Sequence, residues 1–249
     1  MSLIGQGLSI GFPKIQSGKN QIDRFRTKFG MTNFKKLCAF TLSELLLSLT
    51  IVGIIAVLTV PVMVSNVQKK MFATQVKNFS AQIEQLAKDE LLVNRTRDLA
   101  NTDFADPAKL MTSKHFNILK TCTNANVNCW KTHAQGKDKI TYKHLEGQAI
   151  FYNNGYAVIL NNGMIVGYGI VTNQDQVKNG WLGSFNIDVN GNAKPNIAGR
   201  DVFYFFIHRK GYIVYTGQGN TPAKLIELCK TNEYYCYGAL IENNWKMDY

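Results

Sequence analysis

The chain has 249 residues, 45% of them hydrophobic and 18% charged, too apolar for a disordered chain and long enough for one domain plus an appendage. The formal net charge is +11, but residues 1–39 hold seven basic side chains against one acidic and so carry +6 of it. The rest of the chain carries +5, which excludes a uniformly basic nucleic-acid-binding domain.

Behind the basic segment lies a charge-free run. Residues 45–64 read LLLSLTIVGIIAVLTVPVMV, 20 residues that as a helix cross the ~30 Å of a bilayer's hydrocarbon. Between Lys36 and Lys69 the ionisable side chains are Cys38 and Glu44. A buried helix of a soluble protein is the alternative, but the basic cluster ahead of the run favours a membrane span. The same cluster keeps the N-terminal segment in the cytoplasm and exports the C-terminal part. The run is too long for a cleaved secretory signal and no A-x-A site follows it. Cys38 precedes the run, whereas a lipidated cysteine follows one.

Residues 35–44 read KKLCAFTLSE and pass directly into the apolar run. This junction resembles the type IV pilin superfamily, with its pilins and its secretion and competence pseudopilins. The family pattern is a short basic leader, a small residue, Phe-Thr-Leu-x-Glu and then a hydrophobic helix. Lys35 and Lys36 match the basic end, Ala39 the residue before the cut and Phe40 the new N-terminus. Thr41, Leu42 and Glu44 complete the motif. Pro61 stands 21 residues after Phe40, where many members carry a helix-bending proline. Ala39 departs from the family's usual glycine, and a 39-residue leader is long; a start at Met31 gives a leader of ordinary length, residues 31–39. The resemblance implies a membrane-embedded prepilin peptidase that cuts after Ala39 and methylates the Phe40 amine. It also implies that Glu44 pairs with a Phe40 amine during assembly. An acid at the edge of a bilayer helix is costly and has a function or partner; the plainer reading is that Glu44 snorkels to the head groups.

The helix is expected to continue beyond the membrane. Phe72, Val76, Phe79, Ile83 and Leu86 recur at spacings of 4, 3, 4 and 3, with charged and amide residues between them. A helix from Phe40 to about Leu92 is ~80 Å long. Pro61 is expected to kink or locally melt it, and Gly53 to weaken it. The chain thus divides into a leader at 1–39, a transmembrane and assembly helix at 40–65, its amphipathic continuation at 66–99 and an exported head at 100–249.

In the head, Asp106-Pro107 signals a helix to about Leu119. Residues 149–152, 156–160 and 164–170 read as strands joined by Asn-Asn-Gly turns at 153–155 and 161–163, an antiparallel meander. Residues 185–189, 202–208 and 212–216 are further strands, and the aromatic run from Val202 reads as a buried central strand. Thr221-Pro222 caps a short helix over residues 223–230. The expected fold class is therefore α+β: a long N-terminal helix, its first half transmembrane, packed on an antiparallel sheet, as in pilins.

Apart from Cys38 the cysteines fall as Cys122 with Cys129 and Cys229 with Cys236, each pair seven apart. Four cysteines allow three connectivities. Local pairing is the simplest, since polar turn residues lie within each loop; crossed pairing, a zinc site and free thiols are the alternatives. In position, Cys229 and Cys236 resemble the disulfide that staples a C-terminal loop in pilins. Asp188, Asn190, Asn192 and Asp201 offer hard oxygens in a loop that resembles the calcium loops of some pseudopilins, or a plain polar turn. No other cofactor is expected. His115, His133, His144 and His208 are scattered, and no nucleophile, Walker or zincin motif occurs, so an enzyme is not expected. The expected function is a structural subunit of a type IV pilus or secretion filament. It is anchored in the inner membrane and exported to the surface, with other subunits, the peptidase and the assembly machinery as partners. The alternatives are a single-span anchored binding domain and a competence pseudopilin aiding DNA uptake.

Overall fold

The first helix is built for two surroundings. In the computed structural model, which describes residues 41–112, 115–122, 128–147, 149–150 and 156–249, α1 runs Leu42–Val93. The chain divides into units 1–51 and 52–249. The described part of the first is residues 41–51, where α1 begins at Leu42 with Thr41 as its cap. Helical structure continues through Pro61, so the local melting expected there is not found. In the second unit the apolar stripe predicts the buried face. Val76, Phe79 and Ile83 are buried, joined by Ala73, Ala87 and Glu90, while Phe72 and Leu86 are partly buried. The helix stops in a Schellman motif, in which Thr96 N–H bonds Leu91 O at 3.0 Å and Arg95 N–H bonds Leu92 O at 3.1 Å. Arg95 takes the left-handed position usual for glycine, with φ 50°.

Two 3-10 turns follow, Leu99–Asn101 capped by Asp98 and Asp103–Ala105 capped by Thr102. α2 (Pro107–Thr112) is capped by Asp106, whose Oδ1 accepts from Ala108 N–H at 2.9 Å. It does not reach Leu119 as expected. Residues Ile118–Cys122 form β1 instead, because pairing with the central sheet outweighs local helical preference.

The remaining elements are β2 (Tyr142–Lys143), β3 (Ala149–Ile150), β4 (Tyr156–Leu160), β5 (Ile165–Ile170), α3 (Gln174–Lys178), β6 (Trp181–Asp188), β7 (Val202–His208), β8 (Ile213–Val214), α4 (Pro222–Cys229) and α5 (Cys236–Glu242). Six strands form one antiparallel sheet in the order β1-β4-β5-β6-β7-β8. The expected hairpin at 161–163 joins β4 to β5, with Gly163 at φ 86° closing the turn onto Leu160 O. The other half of the expected meander differs. β3 pairs with β2 in a separate two-stranded sheet, and the neighbour of β4 on that side is β1. The turn expected at 153–155 lies outside the described residues. β7 is the buried strand its aromatic run predicts, between β6 and β8.

The core lies between α1 and one face of this sheet. Phe185 and Phe205 are cross-strand partners with stacked rings, and the edge of Phe79 meets both at 6.2 and 6.4 Å. Tyr237 of α5 closes onto Phe205 at 4.8 Å. Fully burying a side chain such as Phe79 stabilises the fold by roughly 1.5–3 kcal/mol. Asn186 and Asp188 alternate with these residues and occupy the opposite face. There the Tyr142 hydroxyl donates to Asp188 Oδ2 at 3.0 Å, and the buried Trp130 packs against Tyr142.

The β7–β8 turn clasps the end of α1. Gly211 lies against Ala87 and Leu91; a Cβ there would stand 3.1 Å from Leu91 Cδ1. Ile213 N–H donates to Glu84 Oε1 at 2.9 Å. Arg209 binds both carboxylate oxygens of Asp98, at 2.9 and 2.5 Å, and Leu99 N–H donates to Arg209 O at 2.8 Å.

Candidate functional site

Glu44 stands in the first turn of α1, and its carboxylate is engaged by its own chain. Thr41 N–H and Thr41 Oγ1–H both donate to Glu44 Oε2, at 2.8 and 2.9 Å, and Glu44 N–H donates back to Thr41 Oγ1 at 3.2 Å. This is a capping box, with threonine at the cap and glutamate three residues on. The T-x-x-E spacing was in the sequence, but Glu44 was read there as an acid that pairs with a Phe40 amine or snorkels to the head groups, not as a cap. The box leaves Oε1 outside these bonds. Ala39 and Phe40, the expected processing residues, lie outside the described residues.

Behind Glu44 the helix presents an unbroken apolar surface. Every residue over 42–68 is exposed, and the most apolar 18-residue window has a mean hydropathy of 2.6 with none of it buried. The polar side chains within it satisfy themselves. Ser48, Thr50 and Thr59 hydroxyls donate to Leu45 O, Leu46 O and Ile55 O at 2.9, 2.7 and 2.9 Å. A helix that closes its own hydrogen bonds this way is suited to hydrocarbon, which supplies no donors or acceptors. Pro61 sits in this stretch, and a Cβ at Gly53 would meet nothing within 4 Å.

The cysteines pair locally, Cys122 with Cys129 and Cys229 with Cys236. The first staples the end of β1 to the segment carrying Trp130. The second joins α4 to α5, and both of its sulfurs border Gly199.

The polar connection between β6 and β7 brings Asp188 and Asp201 together, both fully buried. Asp188 Oδ2 accepts from Tyr142 and Oδ1 from Asn190 N–H at 3.3 Å; Asp201 accepts from Asn196 N–H and Ile197 N–H, each at 2.7 Å. All four carboxylate oxygens thus brace the turn. Burial, and then the charge of Asp201, pushes the Asp188 carboxyl well above the ordinary carboxylate range. Burial likewise raises Asp201, opposed by the backbone N–H groups it accepts. The amide oxygens of Asn190, Asn192 and Asn196 are buried without a hydrogen-bond partner. Such oxygens are the donor type calcium takes, but the carboxylates are turned to protein donors. Among the described residues no cluster of three His, Cys, Asp or Glu side chains is placed to hold a metal.

The histidines sit in separate surroundings. His115 Nε2 lies 3.2 Å from Glu90, His144 Nε2 3.5 Å from Glu233, His133 Nδ1 3.3 Å from the Thr132 hydroxyl, and His208 stacks on Tyr212. No protein-family model, no curated protein and no solved structure matches this chain. The structure shows an α+β protein with one helix able to span a membrane and a disulfide-stapled six-stranded antiparallel sheet.

Proposed function

We propose that the chain is a pilin-like structural subunit of a type IV pilus or secretion filament, cleaved after Ala39, methylated at Phe40 and held in the inner membrane before assembly. The observation that carries this reading is the bare charge-free half of α1, opened by Glu44 and led by Lys35, Lys36, Ala39 and Phe40. Such a surface needs a non-aqueous partner throughout its life, first lipid and then the packed helices of other subunits. The capping box supports a helix capped at Thr41, one residue after the proposed new N-terminus. Glu44 Oε1 remains for a neighbouring Phe40 amine, which sets axial register between subunits. Calcium at the Asp188 connection belongs to this proposal only as a secondary element, since binding requires the carboxylates to leave their present donors.

The test compares wild type with Glu44→Leu in the native host, measuring intact mass and the ratio of sheared surface protein to membrane-retained protein. The expected wild-type protein begins at a methylated Phe40, and Glu44→Leu is still cleaved but enters filaments at least several-fold less. An uncut leader in the mature protein, or equal ratios for both chains, moves the reading to an anchored extracytoplasmic binding domain.

A further inference from the structure

We propose that the groove between the second unit's first exposed turns of α1 and the β6–β7 connection binds the phosphate of an anionic phospholipid headgroup. The groove has a volume of about 460 Å³ and is lined by Gln68, Lys69 and Phe72 from the helix and by Lys194, Ile197 and Arg200 from the connection. Residues 65, 68, 69 and 72 of the lining share one helical face. Three cations therefore converge on one concave surface.

Their charge is only partly answered within the protein. Asp248 is the acid acting on Lys69, while Arg200 acts on it as a like charge. The Arg200 guanidinium lies over the Tyr249 ring at 5.5 Å, yet its Nη1 is buried without a hydrogen-bond partner. A buried charged donor left unmatched is costly, and a phosphate oxygen is the acceptor such a fork suits. Burial holds both Lys69 and Arg200 below their ordinary values, and the Arg200 charge lowers Lys69 further, as expected of cations gathered without their anion.

Position selects the source of the phosphate. Lys69 is five residues beyond Val64, the last residue of the apolar run, or about 7 Å along the helix. The polar layer on each side of a bilayer's hydrocarbon is roughly 5–8 Å thick. The groove thus stands at the depth of the headgroup phosphates, and Phe72 and Ile197 give it an apolar wall on which a glycerol backbone can rest. The inference rests on residues 45–64 spanning the membrane, which the filament subunit and the anchored domain share.

The test reconstitutes the full chain in nanodiscs of phosphatidylcholine, with and without phosphatidylglycerol. The acetylation rates of individual lysines are followed by mass spectrometry. Lys70 is the internal reference, being exposed at the same depth on another face. Phosphatidylglycerol is expected to slow Lys69 and Lys194 about fivefold or more relative to Lys70, the size of one cation's attraction to an anionic surface. Arg200→Gln, and the exposed-site variant Lys194→Gln, are expected to remove the slowing at Lys69. Equal slowing of Lys70 and Lys69, or none, overturns the proposal. Slowing by inorganic phosphate in phosphatidylcholine discs, without slowing by phosphatidylglycerol, overturns the lipid source and leaves a soluble phosphate ligand. Slowing that follows protein concentration and not lipid assigns the groove to an acidic segment of a second copy, and also overturns it. A chain that fails to enter either disc instead refutes the span itself.

Discussion

Over residues 42–68 helix α1 exposes every side chain, whereas over residues 73–90 it buries seven along one stripe. Both stretches are continuous helix, so backbone hydrogen bonding does not distinguish them. What differs is where the apolar side chains find partners. In the second stretch Phe79 meets Phe185 and Phe205 within the same molecule. In the first, Leu49 and Ile54 stand 67% and 58% exposed. The lesson is that apolar content does not identify a core: periodicity marks the stretch packed on its own head, and its absence marks the stretch left exposed.

The strongest way to break this contrast is a pair of truncations. Phe79→Ala is expected to lower the stability of the head by about 3–5 kcal/mol, the cost of an emptied aromatic site in a packed core. Leu49→Ala, measured alongside by thermal melting of the full chain in detergent, is expected to stay within about 0.5 kcal/mol of wild type. A comparable loss from both would mean that the first stretch is packed after all.

A smaller effect sharpens the same division through the disulfides. Cys229→Ala opens a loop whose closure contributes about 2.5 kcal/mol in the chain-entropy model. Denaturant unfolding should show that loss in the head. Flotation with vesicles should be unchanged, because this disulfide lies outside the apolar first stretch.

The smallest effect concerns the buried acid pair. Asp188 has a folded value raised above its unfolded one, so its contribution to stability is full below about pH 4 and is lost as pH rises through the raised value. Its carboxyl faces Tyr142 and Asp201. Asp188→Asn keeps an acceptor for the Tyr142 hydroxyl and removes the charge. It is expected to gain about 1–2 kcal/mol over wild type at pH 8 and to lose that advantage at pH 4. Parallel pH–melting curves for the two proteins would refute this.

The division of α1 was readable in the sequence because side-chain spacing alone encodes it. So were the Thr221 cap, which accepts from Lys224 N–H, and the 161–163 hairpin, whose turn chemistry is local. The seven-residue cysteine spacing also led to the pairing found. Two of the failures, at β1 and α5, depend on partners distant along the chain. The segment ILKTC carries no strong strand signal, yet pairs as β1 because β4 offers an unpaired edge. Ala149 and Ile150 pair with Tyr142 and Lys143 across a local loop in which Gly147 takes φ 90°, a turn signal the sequence reading did not use. α5 was missed because Cys236 and Gly238 are poor helix formers that packing of Tyr237 and Leu240 overrides. At Glu44 the capping box was missed: the Thr41–Glu44 hydrogen bonds are a short-range signal that the conspicuous acid concealed.

The clasp between the β7–β8 turn and α1 has a mechanical consequence. Glu84, Ala87, Leu91 and Asp98 meet that turn from successive positions along the chain. Tension applied along the helix therefore does not peel these contacts apart one after another; it slides them against each other together, so several must fail in the same event. A fastening strained in shear resists far greater force than the same bonds opened in sequence. The head is in this way attached to its helix as a lap joint is, by overlap along the direction of pull.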